Sequence, residues 1–176
     1  MHTRDKNLAF IDGQNLYSGT RASDWKIDFR KFRTYLKEKY HVTEAYYFLG
    51  HVIEKERSLY DNLQKAGFIV IFKEQYQELA TSKKGNVDTD IVFEIMKNVI
   101  DNNDFSKVII VSGDGDYKKV VDYLIVKNRF KKILFPNATS TSSLYKSLGW
   151  EYFDSLERED IKKKILLSQG KKKRTP

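Results

Sequence analysis

Short apolar runs rich in β-branched and aromatic residues occupy residues 8–11 (LAFI), 42–49 (VTEAYYFL), 68–72 (FIVIF), 108–111 (VIIV) and 132–135 (KILF), and most of the segments between them carry a different period. Behind Asp28, for instance, Phe29, Phe32, Leu36 and Tyr40 recur at helical spacing;. Strands that alternate with helices of about 10 to 14 residues specify a parallel sheet, because parallel neighbours need long crossover connections and those pack on both sheet faces. The expected architecture is therefore α/β, a three-layer α/β/α sandwich around a central parallel sheet of about five or six strands.

The rest of the chain follows the same grammar. Residues 54–66 are helical by pattern, with Gly67 placed as a left-handed helix terminator before the run FIVIF;. A polar stretch over 73–86 precedes a helix over 88–99, in which Ile91, Ile95 and Val99 lie four residues apart;. VIIV is followed by SGDGD and by a helix over 117–127. A short helical pattern at 143–148, an apolar segment at 150–153 and a last helix near 156–167 complete the globular part. LAFI itself is ended by Asp12-Gly13, which suits a buried strand stopping at a turn;.

Composition narrows the chemistry. The chain has 176 residues and no cysteine, so disulfides, thiolate zinc sites and a cysteine nucleophile are excluded together;. His2, His41 and His51 form no triad or histidine-metal motif. No run of about 18 uncharged apolar residues and no secretory h-region occurs, which reads as a soluble, cytoplasmic protein with no membrane association. Net charge is +8, yet Lys162 to Pro176 supplies seven of those charges, leaving +1 for the other 161 residues. We divide the chain into a single domain over 1–160 and a basic tail over 161–176, the tail being able to attract any polyanion in a salt-screened way.

The chemistry sits at strand ends. In open parallel sheets ligands bind beyond the carboxyl ends of strands, where adjacent connections diverge to opposite faces. Asp12 directly follows LAFI, and Asp114 follows VIIV after Ser112-Gly113, so neighbouring strands would bring both carboxylates to one crevice. Asp116 extends that group, and Asp88 and Asp90 open the helix before VIIV, which must begin near the same edge. Each acid alone also suits a turn or a helix cap. Together they repel, and a cluster of like charges is held by a cation; Mg²⁺ or Mn²⁺ suits an all-oxygen donor set.

The ordered set FIDGQN (10–15), KKGNVDTDIVFEI (83–95), VSGDGDY (111–117) and STSSL (140–144) resembles the NYN-domain family, LabA-like within the PIN-like nuclease superfamily, over roughly residues 6 to 154. The resemblance implies a PIN-like fold and a magnesium- or manganese-dependent ribonuclease that hydrolyses phosphodiester bonds of single-stranded RNA. Carried over by position, Asp12, Asp88, Asp114 and Asp116 look like the metal-binding and catalytic acids, and Asn15 and Ser112 like their polar neighbours toward substrate. Lys83 and Lys84 would bind phosphates. Glu94 stands near a position where the family often has aspartate, and with Asp90 it joins the wider candidate set. The aromatic residues Tyr17, Trp25, Tyr76 and Tyr117 lie in or near the same loops, where stacking on unpaired bases competes with core packing.

Two other readings compete with this one. A catalytically weak RNA- or protein-binding module keeps the same scaffold, and a homodimer or protein partner is open to either. A small-molecule phosphohydrolase fits the DTDIV pattern at 88–92, but that motif should follow an apolar strand directly, and Gln14 stands where its second aspartate belongs. Dinucleotide and P-loop sites lack their glycine and GKS/GKT signatures.

Overall fold

The structure, a computed structural model, describes residues 5–73, 87–101 and 104–168. Lys83, Lys84 and Tyr76, and most of the polar stretch around them, lie outside the described residues. Six parallel strands form one sheet in the order β3-β2-β1-β4-β5-β6. They are β1 (Asn7–Asp12), β2 (Val42–Leu49), β3 (Ile69–Phe72), β4 (Val108–Val111), β5 (Phe130–Phe135) and β6 (Phe153–Ser155). The helices are α1 (Gly13–Ala22), α2 (Phe29–Tyr40), α3 (Arg57–Ala66), α4 (Asp88–Asp101), α5 (Lys118–Val126) and α6 (Glu159–Ile165). The three-layer α/β/α sandwich expected from the strand–helix alternation is what the chain forms.

Each layer is explained by its own residues. β1 and β4 are buried along their whole length, as continuous apolar runs in the middle of a parallel sheet must be;. One face of the sheet buries Leu16 of α1, Phe32 and Leu36 of α2, Leu63 of α3 and Ile161 and Ile165 of α6. The opposite face buries Ile91 and Ile95 of α4 with Val121 and Leu124 of α5. Each such side chain contributes about 1.5–3 kcal/mol on leaving water, so these two cores supply the main driving force of folding. Asp28 caps α2 by accepting from the Arg30 and Lys31 amides at 3.0 and 3.1 Å;. Gly67 ends α3 with φ at 91°, the left-handed value expected of it;.

Three local expectations are corrected. Residues 13–22 are helical, not a turn, because Asp12 caps that helix as well as ending β1. Residues 143–147 and 150–152 form 3₁₀ turns, with the last strand beginning only at Phe153. The final helix is confined to Glu159–Ile165.

The topology places a crevice. The chain leaves β1 into α1 on one face of the sheet, and leaves neighbouring β4 toward α5 on the other. The carboxyl ends of β1 and β4 are thus the switch point, where divergent connections open a space above the sheet. No helix among the described residues is long and apolar enough to cross a membrane.

Candidate metal centre

Asp12 and the β4 loop meet because β1 and β4 pair in register, with Ile11 opposite Val111. Asp12 is nearly inaccessible, at 4% exposure. Its Oδ1 accepts the Asn15 amide at 2.9 Å, which starts α1, and its Oδ2 accepts the Tyr117 hydroxyl at 3.1 Å and a long contact from Ser112 Oγ at 3.5 Å. Burial pushes its carboxyl above the usual aspartate range; the Asn15 amide opposes that shift, while Asp88 and Asp114 add to it;.

Asp114 caps the 3₁₀ turn Gly115–Tyr117, accepting the Asp116 amide at 3.0 Å, and its own amide donates to Ser112 Oγ at 3.1 Å. This loop is braced from two sides. Asn15 Oδ1 accepts the Gly113 amide at 2.8 Å, tying the start of α1 to the end of β4. From the segment after β5, the Ser142 amide donates to the Gly113 carbonyl at 2.9 Å and the Tyr145 hydroxyl to the Asp114 carbonyl at 2.6 Å. A Cβ on Gly115 would lie 2.5 Å from Ser142 Oγ and 3.0 Å from Leu144 Cδ1, so a side chain there would turn those two tips of the brace aside.

Asp88, at the first turn of α4, brings a third carboxylate to the same edge. Oxygens of Asp88, Asp114 and Asp116 all lie within 4.8 Å of one another. Donor atoms around one Mg²⁺ at about 2.1 Å stand up to about 4.2 Å apart, so a small side-chain rotation would close these three on one hard cation. The donor set, oxygen only and anionic, fits Mg²⁺ or Mn²⁺ and disfavours softer metals. Asp116 is fully exposed, and the charges of Asp114 and then Asp88 push its carboxyl up, as expected when acids converge;.

Tyr117 was assigned to the loops by sequence only as an aromatic ring, and its hydroxyl is the element that reasoning missed. It is fully buried, and its oxygen stands 2.6 Å from Asp88 Oδ1 and 3.1 Å from Asp12 Oδ2. A phenol has one proton, so it can satisfy only one of the two carboxylates at a time. Burial first, then the charge of Asp12, hold its own ionisation far above the ordinary phenol range. Asp12 therefore stands behind the more accessible triplet, joined to it through Tyr117, instead of sharing its outer shell. Tyr117 reaches both Asp12 and Asp88 from the end of the 3₁₀ turn that Asp114 caps;.

The remaining candidates lie apart. Glu94, on α4, is engaged by Lys97 at 3.4 Å and by the Asn98 side-chain amide at 3.2 Å. Asp90 belongs to the first turn of α4 but not to the close triplet, and its buried Oδ2 has no hydrogen-bond partner among the described residues.

Known proteins match most of the chain. The model of the family described as NYN domain matches residues 8–154. The Low amplitude and bright protein LabA of Synechococcus elongatus is 26% identical over 137 residues, which cover 72% of each chain. A crystal structure of a protein of unknown function from Vibrio parahaemolyticus superimposes with a TM-score of 0.74 at 24% identity, covering 95% of this chain and 100% of that one. A flap endonuclease of bacteriophage T5, in complex with DNA and metal ions, is far more distant, with a TM-score of 0.45 at 12% identity over 80% of this chain and 60% of that one.

Proposed function

The chain belongs to the NYN domain family, and from that premise we propose that it is a divalent-metal-dependent nuclease that hydrolyses phosphodiester bonds of single-stranded RNA at the carboxylate centre. The observation that carries the reading is the convergence of Asp88, Asp114 and Asp116 oxygens within 4.8 Å at the switch point of a parallel sheet. Two segments far apart in the chain, the start of α4 and the loop after β4, contribute to it, which single turn or cap roles would not require. The preference for RNA is supported by the family resemblance of the four ordered motifs.

In this reading Asp88, Asp114 and Asp116 would hold Mg²⁺ or Mn²⁺. Such an ion, when bound, acidifies a coordinated water and offsets charge developing at phosphorus. Tyr117 orients Asp88 when it donates to its Oδ1, and Asp12 Oδ2 competes for the same proton, which ties the two carboxylates to one hydroxyl. Ser112 and Asn15 act on the loop backbone, holding the Asp114 and Gly113 amides so that the Asp114 carboxylate faces the crevice edge. Lys83 and Lys84 are proposed to bind phosphates flanking the cleaved bond. The near neutrality of residues 1–161 means that substrate phosphates are met by local charge and by the ion, more than by the field of the whole domain;.

The test incubates purified protein with labelled single-stranded RNA and DNA in Mn²⁺, Mg²⁺ or chelator, beside an Asp12→Asn/Asp114→Asn double variant. Metal-dependent RNA cleavage that the double variant loses is expected. Equal cleavage by both proteins would trace the activity to a contaminant and sink the enzyme reading, whereas metal-strengthened RNA binding without cutting would replace it by the binding module.

A further inference from the structure

Beside the carboxylate centre, on the sheet face that carries α1, α2 and α3, a cavity of about 460 Å³ opens at the same carboxyl edge. Its wall begins at Gly13 and Gln14, the residues that directly follow Asp12. Four aromatic side chains line it, Tyr17, Trp25, Phe29 and Tyr47, together with the cations of Arg21 and Lys26. The volume falls in the range of small-molecule sites, and the lining combines apolar walls with a few polar groups as such sites do.

The polar groups are specific. Trp25 is buried, at 5% exposure, yet its Nε1–H has no hydrogen-bond partner among the described residues. A buried indole N–H ordinarily finds an acceptor, and this one meets none among them, so the lining ring is held by packing alone. At the rim, the Arg21 guanidinium stands 5.6 Å from the centroid of the exposed Tyr17 ring and makes no ion pair among the described residues. An exposed tyrosine with a cation over it offers a stacking surface beside a phosphate-binding charge.

We propose that this cavity is a nucleobase pocket, which takes one unpaired base of the strand whose phosphodiester lies at the carboxylate centre. The proposal rests on the nuclease reading for the identity of the strand. Planar, aromatic chemistry is favoured because four of the lining side chains are aromatic, against which a flat ring packs and stacks better than a flexible apolar chain;. A nucleotide is favoured over a free base because Arg21 and Lys26 outnumber the one carboxylate of the lining, Glu56. Since a base must leave its pair to enter, the pocket selects single strands.

The test uses the full chain carrying Trp150→Phe. The chain has two tryptophans, Trp150 is 82% exposed, and its removal leaves Trp25 as the sole indole reporter. Emission is followed in chelator, so that no turnover enters, during titration with adenosine and uridine 5′-monophosphates and with ribose 5-phosphate. Saturable quenching by the nucleotides and none by the sugar phosphate is expected. Tyr17→Ala and Arg21→Ala, both at exposed positions, should each weaken nucleotide binding by about tenfold. No saturable change, an equal response to ribose 5-phosphate, or indifference to both substitutions would overturn the pocket. RNA cleavage is measured separately on the wild type. Cleavage without nucleotide binding defeats the pocket and leaves the nuclease standing; nucleotide binding without cleavage does the reverse.

Discussion

At the scale of single residues, the centre is built at a cost to the folded chain that two substitutions expose. Asp12 is buried among other acids, and its carboxyl is raised above the ordinary 3.8. The unfolded chain then releases this proton at lower pH than the folded one. Between the two values the folded state binds more protons, so stability falls as pH rises, and above both the full penalty is present. Asparagine at this position keeps the acceptor for the Asn15 amide, removes the charge, and can donate to the Tyr117 oxygen while that hydroxyl donates to Asp88. Asp12→Asn is therefore expected to be more stable than wild type in metal-free urea unfolding at pH 7. The advantage should shrink as pH is lowered through the carboxylate range, and a variant weaker than wild type at pH 7 would contradict this account. Tyr117→Phe acts in the opposite sense. It leaves the buried Asp12 Oδ2 with only the long Ser112 contact, so unfolding should become easier by about 1–3 kcal/mol. Because Tyr117 positions Asp88, Mn²⁺ affinity measured by calorimetry should also fall, by roughly tenfold or more. A change in stability with unaltered metal affinity would reduce Tyr117 to a packing role.

At the scale of elements, the sequence exposes those that bury continuous or periodic apolar residues, and hides those whose helix is imposed by its surroundings. The central strands and helices α2 to α5 were legible from period alone, since Phe32, Leu36, Leu63, Ile91, Ile95 and Leu124 do mark their buried faces. Helix α1 was not. Its sequence GQNLYSGTRA has two glycines and no apolar stripe, and intrinsic propensity argues against it;. It forms because Asp12 caps it and because small residues let it dock closely: a Cβ on Gly19 would meet Pro136 Cβ at 2.7 Å, and one on Gly13 would meet the Phe48 carbonyl oxygen and the Tyr47 ring, each at 2.5 Å. The acids of the site were legible as strand-end and helix-start residues. The part of Tyr117 was not, because a side chain's direction after a 3₁₀ turn has no sequence period, and Tyr145 was hidden for the same reason. This difference between elements predicts different outcomes for two helix-start substitutions. Gly13→Ala presses on backbone as well as on a ring, so it should cost about 1–3 kcal/mol and displace Asp12, lowering RNA cleavage more than stability explains. Asp28→Ala removes the cap of α2, remote from the centre in the sequence and on the covered face, and should cost about 1 kcal/mol with the cleavage rate per folded molecule unchanged. Equal loss of specific activity in both would show that α1 has no special coupling to the centre.

At the scale of the whole molecule, the fold brings Asp88 at the start of α4 to Asp114 and Asp116 in the loop after β4, with Asp12 at the end of β1 behind them, so the triplet is assembled from two separate parts of the chain. Without a cation their mutual repulsion opposes folding, and it acts between segments far apart in the chain, so the unfolded state escapes it almost entirely. A divalent ion that bridges them therefore binds the native state alone, and its binding energy becomes folding energy by mass action, about 2.7 kcal/mol when free metal is a hundredfold above its dissociation constant. For a domain of this size that corresponds to a rise in melting temperature of about 5–10 °C. The rise should occur with Mn²⁺ or Mg²⁺, be reversed by chelator, and be absent in an Asp114→Asn/Asp116→Asn variant. The tail provides the internal control. Its seven positive charges repel a cation instead of holding it, so truncation after Ser168, which removes only Lys171, Lys172, Lys173 and Arg174 among charged residues, should leave the metal-induced shift intact. If the double variant were stabilised as much as wild type, the ion would be acting elsewhere on the molecule, and the carboxylate triplet would lose its claim to be the metal centre.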